Sequence, residues 1–250
     1  MNPTAAILVI GNEILSGRTQ DANIRFLAHR LAALGIALRE VRIIPDVRET
    51  IVNTVGELRA RFDHLFTTGG IGPTHDDITS PCVAEAFGVP WEIHPESYAR
   101  LEAHLAPGTF NPARQRMAML PRGAVPIDNP VSVAPGFSIG NVHVMAGVPR
   151  IMQAMFETLA PRLAGGRPMV SQSWHAEELR EGTLAEGLAA IQAEFPTVDL
   201  GSYPYERAHG RGVSLVSKGY DPEAVAAAAE RTRALIAALG ATPLEGEPAA

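Results

Sequence analysis

The stretch that decides the fold runs Thr67-Thr68-Gly69-Gly70-Ile71-Gly72-Pro73-Thr74-His75-Asp76-Asp77-Ile78-Thr79. It follows the apolar run His64-Leu65-Phe66, which reads as the end of a buried strand. Three glycines let the backbone turn sharply and approach a ligand closely, because no Cβ stands in the way. The adjacent carboxylates of Asp76 and Asp77 then precede a helix start, with Thr79 or Ser80 expected as cap and Pro81 in the first turn. Glycine turn, acid pair and helix N-terminus in succession point to a phosphate-bearing ligand accompanied by a metal ion.

Upstream, residues 5–10 are continuously apolar, as in a strand covered on both faces. Asp21 can cap a helix whose apolar positions Ile24, Leu27, Leu31 and Leu34 advance by three or four before Gly35 ends it. Residues 36–44 read as a second strand stopped by Pro45. Ile51, Val52, Val55, Leu58 and Phe62 make the stripe of a second helix, and 65–68 a third strand. This alternation predicts a parallel sheet with right-handed crossovers.

Downstream, 80–87, 96–104 and 111–120 read as helices, and Pro121, Pro126, Pro130 and Pro135 bar a long helix beyond them. Gly140-Asn141 predicts a hairpin between 137–139 and 142–145, and Gly147-Val148-Pro149 opens a helix to about residue 159. Gly165-Gly166-Arg167-Pro168 reads as a linker between a domain at 1–165 and a small α+β domain at 168–250. The second domain reads βαββα: strand 169–173, helix 183–195, strands 198–203 and 213–217, helix 222–239. Arg207, His209 and Arg211 fall at its hairpin tip; the tail 242–250 is expected to be disordered, with an edge strand at 242–244 as the alternative.

The 250 residues are 46% apolar and 19% charged, ordinary for a globular protein, and carry a net charge of −6. That balance opposes nucleic-acid backbone, and no apolar run approaches the ~20 residues needed to cross a bilayer. Cys82 is the single cysteine, which excludes an internal disulfide and any multi-cysteine zinc site. The N-terminus has no basic stretch before its apolar run, so no signal peptide is read and a cytoplasmic location is expected. GxxxxGK[ST] and an intact GxGxxG opening a helix are missing from the sequence, and no G-x-S-x-G nucleophile turn is read, since the match at 136–140 falls in the hairpin read at 137–145 and not between a strand and a helix.

Ligands of open parallel sheets bind beyond the carboxyl ends of the strands. Gly11-Asn12-Glu13 follows the first strand, Pro45-Asp46 the second, the glycine turn with Asp76 and Asp77 the third, and Gly147-Val148-Pro149 the hairpin strand. Carboxylates beside a phosphate repel it, and Mg²⁺ resolves the conflict by binding both kinds of oxygen. Structural roles compete with each functional one. Asp77 can serve as a helix cap, Asp46 as a turn residue, Glu13 as a solvated acid, and His75 as a spectator rather than an acid/base. Arg114 and Arg116 fit a phosphate contact or a solvated surface equally.

The loop 68–79, with Ile44-Pro45-Asp46 upstream, resembles the molybdopterin-binding fold of the MoaB/MogA proteins, and more closely the N-terminal domain of CinA-type proteins. The resemblance rests also on residues 11–17 with Asn23, on Asn111 with Arg114, Met117, Pro121 and Gly123, on Asn129-Pro130-Val131 and Ala134-Pro135-Gly136-Phe137, and on Gly147-Val148-Pro149. Asp199-Leu200-Gly201-Ser202-Tyr203-Pro204 is similar to the corresponding part of eukaryotic FAD synthases. The resemblance implies a three-layer αβα fold that holds molybdopterin, or its adenylylated form, at the strand ends. It implies catalytic roles for Asp46 and Asp77, the positions matching aspartates that matter for Mg²⁺-dependent adenylyl transfer. The ligand contacts implied are Gly11, Asn12, Glu13, Thr68, Gly69, Gly70, Gly72, Pro73, Thr74, Asn111, Arg114, Gly147 and Pro149. Ser132 departs from the glycine usual in relatives, and Ser80-Pro81 from the usual Thr-Pro.

Three functions follow: a module binding a pterin phosphate or nucleotide; a Mg²⁺-, Mn²⁺- or Co²⁺-dependent pyrophosphatase acting on ADP-ribose or a related dinucleotide, with Asp46, Asp76 and Asp77 on the metal; or a non-catalytic scaffold. The resemblance further implies a homo-oligomer. Because the sequence stops short of the CinA amidohydrolase domain, nicotinamide mononucleotide deamidation is expected to be absent.

Overall fold

A computed structural model describes residues 2–207 and 210–248. The chain divides into two compact units, Met1–Gly166 and Arg167–Ala250.

The first unit opens with β1 (Thr4–Ile10), the single-turn α1 (Asn12–Leu15), α2 (Asn23–Ala33), β2 (Ala37–Ile44), α3 (Arg48–Arg61) and β3 (His64–Thr68). After the glycine turn come α4 (Thr79–Ala86), β4 (Trp91–Ile93), α5 (Pro95–His104), α6 (Pro112–Gln115) and β5 (Met119–Pro121). The unit closes with β6 (Val125–Ile127), β7 (Gly136–Ile139), β8 (Val142–Met145) and α7 (Pro149–Leu159). Its main sheet has the order β2-β1-β3-β8-β7-β6. The first four of these run parallel, and β7 and β6 add as antiparallel strands.

Period-two alternation explains the three layers. Leu8 and Ile10 of β1 pack with Val55 and Leu58 of α3 and Val83 of α4, while Ile7 and Val9 pack with Leu27 and Leu31 of α2 and Phe156 of α7. The Asp21 carboxylate accepts the Ile24 N–H at 2.8 Å at the start of α2. At α4 the expected cap is absent: the Thr79 hydroxyl donates at 2.9 Å to the Gly69 carbonyl, and the Ser80 hydroxyl at 3.1 Å to Met119. Both side chains tie the helix to its surroundings instead of closing its first turn.

The helix expected at 111–120 is only α6 and a 3₁₀ turn at Arg116–Ala118. Residues Met119–Pro121 leave it to pair antiparallel with β4, and the Trp91 Nε1–H donates at 2.9 Å to the Met119 carbonyl. His64 and His143 lie buried on neighbouring strands with Nδ1 and Nε2 3.3 Å apart. The Ser138 hydroxyl donates to His143 Nδ1 at 2.9 Å, and His64 Nε2 donates to the Ala164 carbonyl at 3.3 Å. All four ring nitrogens are then satisfied with both rings neutral. Burial pushes the His143 pKa down to about 3.

The second unit contains β9 (Val170–Glu177), α8 (Glu181–Glu194), β10 (Asp199–Arg207), β11 (Gly210–Gly219), α9 (Pro222–Ala238) and β12 (Leu244–Glu245). Its antiparallel sheet has the order β10-β11-β9-β12. Val213 and Leu215 pack with Leu184 of α8 and Ile236 of α9. Part of the tail is thus an edge strand, starting two residues beyond the expected start. His209 and residues 249–250 lie outside the described residues.

Candidate functional site

The glycine turn leaves β3 at the carboxyl end of the sheet's centre. Gly69 has φ 102°, and a Cβ there would lie 2.1 Å from the Ile10 carbonyl; Gly70 has φ 67°. Only glycine accepts these positions, so the turn passes directly over β1. The Thr79 N–H then bonds the Gly70 carbonyl at 2.9 Å and closes the turn onto α4. Among the described residues, the N–H groups of Gly70, Ile71 and Gly72 meet no protein acceptor.

Those three residues line a cavity of about 540 Å³ whose other walls come from Met117, from the loop 129–134, and from the entry to α7. Most of its surface is apolar, contributed by side chains such as Ile71, Val148, Ile151 and Met155. Its two acids are Glu13 and Asp77. Asp77 folds back over Gly72, where a Cβ would come within 2.6 Å of Oδ2. The same carboxylate accepts the Thr74 N–H at 2.8 Å and the Thr74 hydroxyl.

The implied site residues separate in space. Glu13, Gly69, Gly70, Gly72, Pro73, Asp77, Gly147 and Pro149 line the cavity, and Thr68 lines a smaller recess beside it. Gly11, Asn12, Thr74, Asp46, Asp76, Asn111 and Arg114 do not. The Asp46 carboxylate instead accepts the Asn12 N–H at 2.8 Å and anchors α1. Asp76 accepts the Thr74 hydroxyl at 2.6 Å, which lowers its pKa below the usual carboxylate value. Asn111 caps α6 by accepting the Arg114 N–H at 3.0 Å, and the Arg114 guanidinium donates to the Thr109 carbonyl at 2.9 Å. Among the described residues, no three His, Cys, Asp or Glu side chains gather closely enough to hold a metal. The expected trio of Asp46, Asp76 and Asp77 is therefore not a preassembled metal cluster: Asp46 is tied to the Asn12 N–H, while Asp76 and Asp77 share the Thr74 hydroxyl.

Of the two arginines offered for a phosphate contact, Arg116 and not Arg114 borders the cavity. Arg116 is half-buried, lines a narrow cleft next to the cavity with Asp77 and Trp91, and reaches the Asp77 carbonyl at 3.5 Å. Its guanidinium lies 5.7 Å from the Trp91 ring centroid, and no carboxylate pairs with it among the described residues. The loop opposite is organised by Asn129, 3% exposed. Its amide donates to Ser132 Oγ at 2.7 Å and to the Ala134 carbonyl at 2.8 Å, and accepts the Val131 and Ser132 N–H groups at 3.0 and 3.1 Å. Within that loop Val133 is held at φ 66°, a left-handed conformation unusual for a β-branched residue. The Asn-Pro pair at 129–130 is the sequence signal for such a turn.

Fold and site together define an α/β ligand-binding domain with a glycine turn at the carboxyl rim of parallel strands. The family model described as a probable molybdopterin binding domain matches residues 6–165, and that of the FAD synthase middle domain matches 168–243. The chain belongs to the molybdopterin-binding MoaB/MogA family, among its CinA-like members. A protein of Pyrobaculum calidifontis is 36% identical over 212 residues, 81% of each chain. A CinA-like protein of Parasynechococcus marenigrum is 35% identical over 234 residues, which are 88% of this chain and 55% of the relative. The chain thus spans about half the length of the CinA-like relatives. The crystal structure of CinA from Thermoplasma acidophilum has a TM-score of 0.61 at 30% identity, covering 64% of this chain and 97% of that one. No helix among the described residues is long and apolar enough to cross a membrane.

Proposed function

We propose that the cavity binds a flat, phosphate-bearing ring ligand of the molybdopterin kind. The observation that carries this reading is the run of unclaimed N–H groups at Gly70, Ile71 and Gly72 on the edge of an apolar cavity of about 540 Å³. Successive N–H groups at a tight turn suit phosphate oxygens, and apolar walls with thioethers from Met117 and Met155 suit a polarizable ring. A divalent cation fits the donor set. Mg²⁺ commonly takes one or two protein carboxylates and completes its shell with phosphate oxygens and water, and Glu13 and Asp77 supply two. The cation's contribution is to neutralise the repulsion between these acids and the phosphate. Arg116, without an acidic partner among the described residues, adds a second positive group on the Asp77 side.

That same arginine favours a second reading, cleavage of a pyrophosphate such as ADP-ribose. A guanidinium next to the acid-lined end suits the charge that develops on a departing phosphate. The two readings separate in one experiment on the full chain. Binding of a pterin phosphate and hydrolysis of ADP-ribose, FAD and NAD are measured with Mg²⁺, Mn²⁺ and Co²⁺, for the native protein, Asp77→Asn and Arg116→Gln. Pterin phosphate binding that weakens at least tenfold in Asp77→Asn, without turnover of any dinucleotide, supports the first reading. Metal-dependent turnover lost in both variants supports the second. Neither binding nor turnover refutes both and leaves the scaffold role.

A further inference from the structure

Beside the main cavity lies a recess of about 50 Å³ that shares Glu13, Thr19, Gly69, Gly147 and Pro149 with it. Asn23 and Thr68 also wall this recess, and they are 4% and 1% exposed. Asn23 Nδ2 donates to the Gly147 carbonyl at 2.8 Å. That bond fixes the amide, because turning it over would set oxygen against oxygen. Asn23 Oδ1 is therefore committed as an acceptor. Among the described residues neither it nor Thr68 Oγ1 has a hydrogen-bond partner. Buried polar atoms are rarely left unmatched, since the desolvation cost of burying them is then uncompensated. The other polar residues of the recess are Glu13, Thr19, Gln20 and Asp21, and among the described residues no Lys, Arg or His lines it. Such a lining repels an anion and matches a hydrogen-bond donor.

The geometry points to this recess as the subsite that reads an exocyclic amino group on the ligand's ring, an inference that rests on the ring-phosphate reading above. The amino group donates to Asn23 Oδ1. The Thr68 hydroxyl, able to donate or accept, meets the neighbouring ring nitrogen or carbonyl. Exchange of the amino group for an oxo group sets a carbonyl oxygen against Asn23 Oδ1. Asparagine cannot relieve that clash by flipping, because Nδ2 is held by Gly147. Sites built to hydrogen-bond a group reject analogues that lack it far more strongly than apolar pockets do.

The test is equilibrium binding to the full chain with two amino/oxo pairs: 6-hydroxymethylpterin phosphate against its lumazine counterpart, and ADP-ribose against its hypoxanthine counterpart. In whichever pair binds, the amino member is expected to bind at least tenfold more tightly. Thr68→Val is expected to keep the native thermal midpoint, since its hydroxyl has no partner to lose among the described residues, while weakening the amino member. Asn23→Leu is expected to abolish the preference. Equal affinity for amino and oxo members in the native protein overturns the inference while the ring-phosphate reading stands; the two oxygens are then served by ordered water. An Asn23→Leu protein that keeps the preference also overturns it. Failure of both pairs to bind overturns the inference together with the reading on which it rests.

Discussion

Replacement of Asn129 by alanine tests whether the wall loop is held by one side chain. The substitution removes four hydrogen bonds and leaves the Val131 and Ser132 N–H groups and the Ala134 carbonyl without their partner. At about 1 kcal/mol for each stranded backbone group, the loss is about 3 kcal/mol. Release of Val133 from φ 66° returns about 1 kcal/mol, because the left-handed conformation costs roughly that much for an L-residue. The net destabilisation is therefore about 2 kcal/mol, equivalent to about 4–8 °C in midpoint for a unit of this size. Each unit contains one tryptophan, Trp91 or Trp174. Fluorescence of Trp91 in a Trp174→Phe background during thermal and urea unfolding reports the first unit alone, so a two-unit transition does not obscure the result. Val133→Gly in the same background should stay within about 1 kcal/mol of native, since strain relief is offset by added chain entropy. An Asn129→Ala midpoint within 1 °C, or a Val133→Gly loss as large as that of Asn129→Ala, would refute the assignment of loop order to this amide.

Three further outcomes are expected. The folded pKa of His143 lies below its unfolded value, so its stabilisation is complete above about pH 6.5 and is lost as pH falls toward 3. The slope approaches 1.4 kcal/mol per pH unit at most, and urea midpoints between pH 6.5 and 4.5 should flatten in His143→Gln. Gly69→Ala should destabilise by about 3 kcal/mol through left-handed strain and collision with the Ile10 carbonyl. Gly56→Ala, with open space around it in α3, should stabilise by about 0.5–1 kcal/mol, and equal effects of the two changes in calorimetry would contradict the geometry. Burial pushes the Cys82 thiol up to about 11. A thiol-specific dye should label it only at the rate of unfolding, and rapid labelling of folded protein would show the site to be open.

The alternating elements of the first unit were legible because each carries its own punctuation: the apolar run of β1, the Asp21 carboxylate at the start of α2, Pro45 after β2. The β4–β5 ribbon was not, because three-residue strands are too short to display a period. The rim was legible from topology, but which acids turn inward was not. Asp46 and Asp76 are oriented by donors on Asn12 and Thr74, and such contacts leave no trace in spacing. That Arg116 and not Arg114 borders the cavity has a simple cause. Helical residues two positions apart differ by about 200° in direction, so only one of this pair can face Asp77. Asn129 carried a turn signal, yet its grip on four groups depends on a loop conformation visible only in three dimensions.

The placement of β8 between β3 and β7 has a consequence during synthesis. All five residues of β3 are buried in the finished sheet, yet the strand that covers its second edge begins at Val142, 74 residues after Thr68. At cellular elongation speeds of 5–20 residues per second, that flank stays bare for about 4–15 s. A ribosome pausing within this interval presents an unpaired apolar ribbon to its neighbours, so the growing chain is most prone to aggregate there.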